Sequence, residues 1–170
     1  MPKFQNILQG GDLRSIGKAN EVVALVKNQT DFDELFPGLS HPDRKVVMRT
    51  ADAIEKITLK NPDFLQKHKK ALLKLCQKDQ DIELKWHLTL LLPRLSLTPK
   101  ELQSVWNLLT LWARNAEESK IVRVNSIQGL FELLSQLPGM SQDFEFTLAE
   151  MEKENIASIL ARIRKIRKLR

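Results

Sequence analysis

The sequence has few of the residues that metal sites and nucleophilic sites use. It contains one cysteine, Cys76, and three histidines, His41, His68 and His87, which lie far apart along the chain. A metal site needs several ligands at close spacing, and a catalytic nucleophile needs a base within reach. No GxxxxGK[ST] or GxGxxG phosphate loop occurs either. The sequence therefore favours a protein without catalytic residues, metal or cofactor.

The single cysteine also excludes an internal disulfide and fits a reducing compartment. Its neighbours Leu72, Leu73 and Leu75 favour a small buried side chain over a reactive thiol. No apolar run approaches the roughly 18 residues of a membrane span, and the first residues lack an apolar stretch long enough for a signal peptide. We therefore expect a cytoplasmic protein without a membrane span.

Three stretches of the sequence match one another at a fixed spacing of 38 residues. They are DRKVVMRTADAIEKI (residues 43–57), DIELKWHLTLLLPRL (81–95) and SKIVRVNSIQGLFEL (119–133). The apolar positions that coincide are Val46, Leu84 and Val122, then Ile54, Leu92 and Leu130, and then Ile57, Leu95 and Leu133. Self-similarity at a period of about 20 to 50 residues predicts an architecture of stacked repeats.

Helix-start signals divide the chain into helices joined by short loops. Asn61-Pro62 and Thr98-Pro99 each offer a side-chain cap followed by proline, and Thr98 with Glu101 forms a capping box. No segment alternates with a period of two, so we expect no strands. The predicted helices span residues 12–28, 31–36, 42–58, 62–77, 80–95, 98–115, 119–135, 142–151 and 154–169. Short loops make successive helices antiparallel, and the pairs stack because each is too small to bury its own apolar face.

The first repeat resembles a HEAT repeat. It has a short A helix (DFDELFPGL), a turn with proline and aspartate (SHPDRK) and a B helix with valines and a basic residue (VVMRTADAIEKI). ESKIVRVNSIQGL matches the same outline, whereas the second repeat departs from it at Trp86, His87 and Pro93. The resemblance is good over residues 31–135. It implies an all-α, right-handed α-α superhelix (solenoid) of about four HEAT-like repeats. Residues 1–170 would form one HEAT-like domain, with an N-terminal cap at 1–30 and a C-terminal cap at 141–170.

The resemblance also implies that the B helices line a concave surface that binds a protein partner. Lys45, Arg49, Asp52 and Lys56 share one face of the first B helix because they are four, three and four residues apart. The equivalent residues are Glu83, His87, Leu90 and Arg94, and then Ile121, Asn125, Gln128 and Glu132. The predicted partner-binding residues are Arg49, Lys56, His87, Arg94, Arg123 and Asn125. The alternative is that these are only the solvated sides of amphipathic helices. The partner and the oligomeric state are not in the sequence.

The positive charge is concentrated at the end of the chain. The net charge is +6, and residues 155–170 hold six basic residues and no acid, so the rest is formally neutral. The same segment carries an apolar stripe at helical spacing, which favours a helix that caps the last repeat and leaves a basic face in water. The alternatives are a nucleic-acid contact through Arg162, Lys165 and Lys168, or binding to a membrane surface or a partner helix.

Lysines also recur on the second predicted A helix. Lys67, Lys70, Lys74 and Lys78 are three, four and four residues apart, which places them on one ridge if the helix is continuous. Such lysines are usually there for solubility. The functional alternative is a nucleic-acid contact through Lys67, Lys70 and Lys74.

The three tryptophans give a second functional hypothesis. Trp86 is expected in the core, whereas Trp106 and Trp112 are six residues apart on one helix, so we expect one of them to be exposed. The chain distantly resembles bacterial alkylpurine DNA glycosylases built from HEAT-like repeats, which place tryptophans and an aspartate around the damaged nucleotide. However, none of the tryptophans has an aspartate one helical turn away. A protein-interaction scaffold therefore remains the preferred function, with a nucleic-acid-binding protein as the alternative.

Overall fold

The computed structural model describes residues 3–10, 17–78 and 81–169. Within these ranges it contains ten α-helices and no strand. The helices are α1 (Lys3–Leu8), α2 (Gly17–Leu25), α3 (Gln29–Leu35), α4 (Arg44–Lys60), α5 (Lys69–Leu75), α6 (Ile82–Leu91), α7 (Pro99–Arg114), α8 (Lys120–Leu133), α9 (Ser141–Glu152) and α10 (Ala157–Arg167). Short 3-10 helices occur at Phe36–Ser40, Pro62–His68, Leu92–Arg94 and Pro138–Met140. The all-α fold class is confirmed. None of the described helices has the length and apolar character to cross a membrane.

Burial confirms the register of the three matched repeats. All nine apolar side chains that coincide at 38-residue spacing are buried. The capping box predicted for α7 is also present, since Thr98 accepts from the Glu101 amide and Glu101 accepts from the Thr98 amide. The prediction for Asn61 is wrong, because its side chain caps nothing and a 3-10 helix follows it. The sequence therefore determines the spacing of the repeats more reliably than the form of each helix start.

Several predicted helices are interrupted. The predicted helix 62–77 is a 3-10 helix, Pro62–His68, followed by the short α5. The predicted helix 80–95 ends as α6 at Leu91, and Pro93 lies in the 3-10 turn that follows, because proline lacks the amide that an α-helix needs. The lysine ridge is therefore not continuous. Lys67 lies in the 3-10 helix and Lys78 beyond the end of α5, although Lys67, Lys70, Lys74 and Lys78 are all exposed.

The described residues divide into two compact units, Met1–His87 and Leu88–Arg170, with the boundary inside α6. The prediction of a single HEAT-like domain concerns the whole chain and stays a prediction. In the first unit, α1 and α2 both pack against α4. An aromatic cluster joins α3 to the following 3-10 helices. The rings of His68 and Phe36 are stacked with their centroids 4.0 Å apart, and the ring centroids of Phe64 and Phe32 are 5.5 Å apart.

In the second unit, α8 packs against α7 and α10, and α9 also contacts α7. The expectation that Trp106 or Trp112 is exposed is wrong, since they are only 1% and 7% exposed. Both are buried because α7 is covered by α8 and by α9, on more than one side. Gly129 allows close packing of α8. A Cβ atom at this position would lie 2.6 Å from the carbonyl oxygen of Thr89.

Candidate partner-binding surface

The face predicted for partner binding repeats every 38 residues, and its burial repeats with it. We call this set of positions on α4, on α6 with the 3-10 turn that follows it, and on α8 the B-helix face. The second position of the face is buried in all three repeats and is occupied by Arg49, His87 and Asn125. The other positions are exposed or half-exposed, namely Lys45, Asp52 and Lys56, then Glu83, Leu90 and Arg94, and then Ile121, Gln128 and Glu132. The interpretation of the whole face as solvated is therefore wrong at its second position.

Arg49 is buried because it holds the N-terminal segment. Its side chain is 0% exposed, and Nη1 donates to the carbonyl oxygens of Leu8 and Gly10, each at 2.6 Å. Gly10 has a positive φ of 69°, which glycine adopts without strain. A buried guanidinium needs acceptors to offset the loss of water, and these carbonyls supply them. Arg49 thus ties residues 8–10 to α4.

His87 is held by its neighbours on both sides. Its Nδ1 lies 2.5 Å from Oε2 of Glu55 on α4. Its ring also stacks on the indole of Trp86, with the ring centroids 3.7 Å apart. His87 is buried, whereas Trp86 is only half-buried. The expectation that Trp86 belongs to the core is therefore met only in part, because the indole stacks on the buried His87 but is itself only half-buried.

Lys56 is an accessible cation of the face in the first unit. Its Nζ donates to Oδ1 of Asn20 at 2.9 Å and to Oδ2 of Asp52 at 2.7 Å. About a third of its side chain remains exposed, at 34%. Ion pairs at this degree of exposure contribute little to stability, so Lys56 can exchange these partners for others at small cost.

Arg123 has a structural position in the second unit. Its Nε donates to the carbonyl oxygen of Ala113 at 2.8 Å, and its Nη2 lies 2.5 Å from Oε1 of Glu154. The side chain is buried, as is that of Asn125 two residues later. Arg94, in the 3-10 turn after α6, is half-exposed. Of the six predicted partner-binding residues, only Lys56 and Arg94 are therefore accessible, and partner binding by any of the six stays a prediction.

The C-terminal helix packs as a cap. Ile159, Ile163 and Ile166 are buried, and α10 contacts α8 and α9. Two of its cations are paired, since Arg162 donates to Gln128 at 2.8 Å and Arg167 binds Glu152 through two hydrogen bonds. Three cations are exposed without a carboxylate partner among the described residues, namely Arg164, Lys165 and Lys168. The exposed basic surface at the end of the chain is thus smaller than the six basic residues of 155–170 indicate.

The lysines of the first unit differ among themselves. Lys67 Nζ lies 2.5 Å from Oδ2 of Asp33, and the His68 ring lies 2.7 Å from the other carboxylate oxygen. The hydrogen bond from Lys67 is the largest of the causes that lower the pKa of Asp33, to about 2. Lys70 and Lys74 are exposed on α5. Of the three lysines predicted for a nucleic-acid contact here, only Lys70 and Lys74 are thus exposed without a carboxylate partner among the described residues.

No cluster of three or more metal-ligating side chains occurs among the residues that the structure describes. Cys76 is half-buried at the end of α5, and burial raises the pKa of its thiol to about 12. The thiol is therefore protonated at neutral pH, which agrees with its interpretation as a small apolar side chain and not a nucleophile.

One feature that the sequence did not predict lies in the second unit. Trp106 Nε1 donates to Oδ2 of Asp143 at 2.7 Å, and both residues line a groove of about 530 Å³ beside α7. The sequence did not predict an aspartate next to a tryptophan. Trp106 and Asp143 are 37 positions apart in the chain and come into contact only because α9 packs on α7. Leu111, which also lines this groove, is exposed, as is Phe146 on α9.

The chain is similar to a known protein family. A family model described as the HEAT repeat domain matches residues 12–169. No curated protein and no solved structure matches the chain. HEAT repeats generally serve as protein-interaction scaffolds. The family match covers most of the sequence and agrees with the helical fold and with the buried register of the repeats. The chain therefore belongs to the HEAT-repeat family.

Proposed function

We propose that the chain is a non-catalytic scaffold that binds a protein partner through the accessible positions of the B-helix face. Lys56 in the first unit and Arg94 in the second unit are the charged contacts. The observation that carries the proposal is the burial pattern, in which the same position is buried and the same three positions are accessible in each of three repeats.

The physical roles differ along the face. Arg49 and His87 fix the helices through internal hydrogen bonds, so they act as positioning residues. Apolar side chains such as Ile121 supply contact area, and the cations set specificity through charge complementarity. Since the buried side chains are already in place, a partner would not have to order them, which lowers the entropic cost of binding.

Affinity capture with matched variants tests this proposal. The bait would carry Lys56→Glu, Arg94→Glu or both, and the control bait Lys100→Glu, at an exposed lysine of α7 outside the face. We expect partners retained by the wild type and by the control to be lost with the double variant, because charge reversal at a contact costs several kcal/mol. Circular dichroism and a thermal melt would establish that each bait is folded.

The same partners captured by a folded double variant would contradict binding through this face. Arg49→Glu is unsuitable for the purpose, because a buried carboxylate facing the carbonyls of Leu8 and Gly10 would unfold the segment. Lys56→Glu is the suitable charge reversal in the first unit, because Lys56 is partly exposed and Arg49 is buried.

A second candidate function is nucleic-acid binding through the end of α10. It is supported by the exposure of Arg164, Lys165 and Lys168 without carboxylate partners among the described residues. Fluorescence anisotropy with double-stranded DNA, single-stranded DNA and RNA at about 50 and about 200 mM salt tests it, since phosphate contacts weaken steeply with salt. The variant Lys165→Glu with Lys168→Glu should lose binding, whereas Lys100→Glu with Lys120→Glu should retain most of it. No binding at the lower salt concentration would remove this candidate.

A further inference from the structure

The groove beside α7 has an apolar middle. The Trp106 side chain lies at its base, 1% exposed, and Leu111 and Met140 line it. Leu111 is 63% exposed, which is unusual for a leucine in a helix whose other face is packed on α8. Single exposed apolar residues are normal on a protein surface, but this one lines a groove.

The apolar surface continues onto α9. Phe146 is 55% exposed, and the guanidinium carbon of Arg114 lies 5.4 Å from the centroid of its ring. Arg114 also lines the groove, so the aromatic ring, the arginine and Leu111 form one surface. Trp, Phe, Met and Arg are the residue types enriched at protein interfaces, and Trp and Arg are prominent among the residues that carry most of the binding energy.

The groove carries one negative and one positive side chain, Asp143 on α9 and Arg114 on α7, which lie beside different positions of α7. Asp143 is exposed and sits at Trp106, whose indole occupies one of its oxygens and leaves further acceptor sites open. Arg114 comes eight residues after Trp106, or about 12 Å along the helix axis. Arg114 interacts electrostatically with Glu150, but that carboxylate is already paired with Lys153 at 2.5 Å. Both charges are therefore open to a ligand.

We propose that this groove binds an amphipathic α-helix of another protein, with a basic side chain at Asp143, apolar side chains against Leu111 and Met140, and an acidic side chain at Arg114. Helices commonly bind in grooves between two helices through such a stripe of anchors. The position of Trp106, where Asp143 sits, and that of Arg114 are about 12 Å apart along the axis of α7, which equals the rise of seven or eight residues in a bound helix. The site is independent of the B-helix face, so either can fail without the other.

Three labelled peptides of about 18 residues, long enough to be largely helical on an alanine-rich background, test the proposal by fluorescence anisotropy. All carry leucines in the middle of one face. The flanking charges, two turns apart, are Lys and Glu in the first peptide, Lys and Lys in the second, and Glu and Glu in the third. The mixed peptide should bind about tenfold more tightly than either like-charged peptide, because only it avoids a like-charge contact. Changing both members of the pair makes the test independent of the direction in which the helix lies.

Variants of the protein sharpen the test. Arg114→Glu should make the Lys-and-Lys peptide the tightest binder, and Leu111→Ser should abolish binding of all three. Both residues are exposed, so neither change should unfold the protein. Lys56→Glu should leave all peptide affinities unchanged, which separates this site from the B-helix face.

Three results would overturn the proposal. Absence of binding, or equal affinities for the three peptides, would exclude the charge-matched helix. Tightest binding of the Glu-and-Glu peptide would point instead to non-specific attraction by the net charge of +6. Self-association of the wild-type chain that disappears in Leu111→Ser would identify a second copy of the chain as the occupant of the groove.

Discussion

Arg49 joins α4 to the end of α1 through a hydrogen bond of 2.6 Å from Nη1 to the carbonyl oxygen of Leu8. The last carbonyls of a helix have no partner within the helix, and here a buried side chain from another helix supplies one. The contact places one cation in the interior of the first unit, where it stabilises the attachment of α1 and is inaccessible to any partner.

Arg49→Met should therefore destabilise the protein. Methionine replaces the aliphatic part of the side chain but leaves the carbonyls of Leu8 and Gly10 without a donor, so we expect a loss of about 2 to 4 kcal/mol. Urea denaturation measures it, and hydrogen exchange should show faster exchange in α1. Arg164→Met, at an exposed cation of α10, is the control and should change stability by less than about 0.5 kcal/mol. Equal stabilities of the two variants would contradict the structural role of Arg49.

Gly129→Ala should also destabilise the protein, through steric overlap. The added Cβ would lie 2.6 Å from the Thr89 carbonyl oxygen and 3.0 Å from a methyl carbon of Leu109. Backbone on one side cannot move without shifting a helix, so we expect a cost of about 1 to 3 kcal/mol. That corresponds to a melting temperature lower by several degrees, at about 2 to 4 °C per kcal/mol for a chain of this size.

Gly139→Ala is the matched control for this change. A Cβ at position 139 would meet no atom within 4 Å, and its φ is not in the left-handed region. Alanine restricts the unfolded chain more than glycine does, so this variant should be as stable as the wild type or slightly more stable. If the Gly129→Ala and Gly139→Ala proteins had the same melting temperature, α8 would not pack as closely as described.

The Asp33 carboxylate should make stability depend on pH in the acidic range. Its pKa is lowered from an ordinary 3.8 to about 2, first by the hydrogen bond from Lys67 and also by Gln29 and His68. Since the folded pKa lies below the unfolded one, the folded state favours the charged form. The contribution is complete above pH 4 or so and is lost as the pH falls from about 4 towards 2.

Denaturant midpoints of the wild type and of Asp33→Asn, measured between about pH 2 and pH 6, test this expectation. The difference between the two proteins should be largest near pH 6 and should shrink below about pH 4. Glu34→Gln, at the exposed neighbouring carboxylate, should not change the pH profile in this way. A constant difference between the wild type and Asp33→Asn across the range would rule out the ion pair as its source.

The Cys76 thiol should react slowly in the native protein. Burial raises its pKa from 9.0 to about 12, so the thiolate fraction at about pH 8 falls by roughly a thousandfold relative to an unperturbed thiol. Alkylation by iodoacetamide, followed by mass spectrometry, should therefore be at least about a hundredfold slower in native buffer than in denaturant. Similar rates in the two conditions would mean that the end of α5 is open to solvent.

The sequence predicted those features that depend on local spacing. The 38-residue register, which Val46, Leu84 and Val122 represent, follows from the similarity of the three stretches to one another, and the capping box at Thr98 involves residues only three apart. These features need no knowledge of which helix packs against which. For the same reason, the family could be recognised before any contact was known.

The features that the sequence did not predict depend on contacts between distant segments. Lys45 and Arg49 lie on the same face of one helix, but only Arg49 is covered, because residues 8–10 happen to lie above it. Trp112 is buried together with Trp106 because α7 has neighbours on more than one side. Helical periodicity states which residues share a face, and it does not state which part of that face another segment will cover.

The buried position of the B-helix face has a consequence for exchanging repeats. Arg49 finds its acceptors in residues 8–10, and His87 finds Glu55 on the preceding B helix. The first repeat therefore depends on the segment before it for its buried polar contacts, and the second depends on the first. A repeat moved to another place in the chain would carry a donor without its acceptor and leave another acceptor behind. Although their sequences match at 38-residue spacing, these repeats are not interchangeable modules. Their order matters because the buried polar side chains of Arg49 and His87 find their hydrogen-bond partners in the preceding segment.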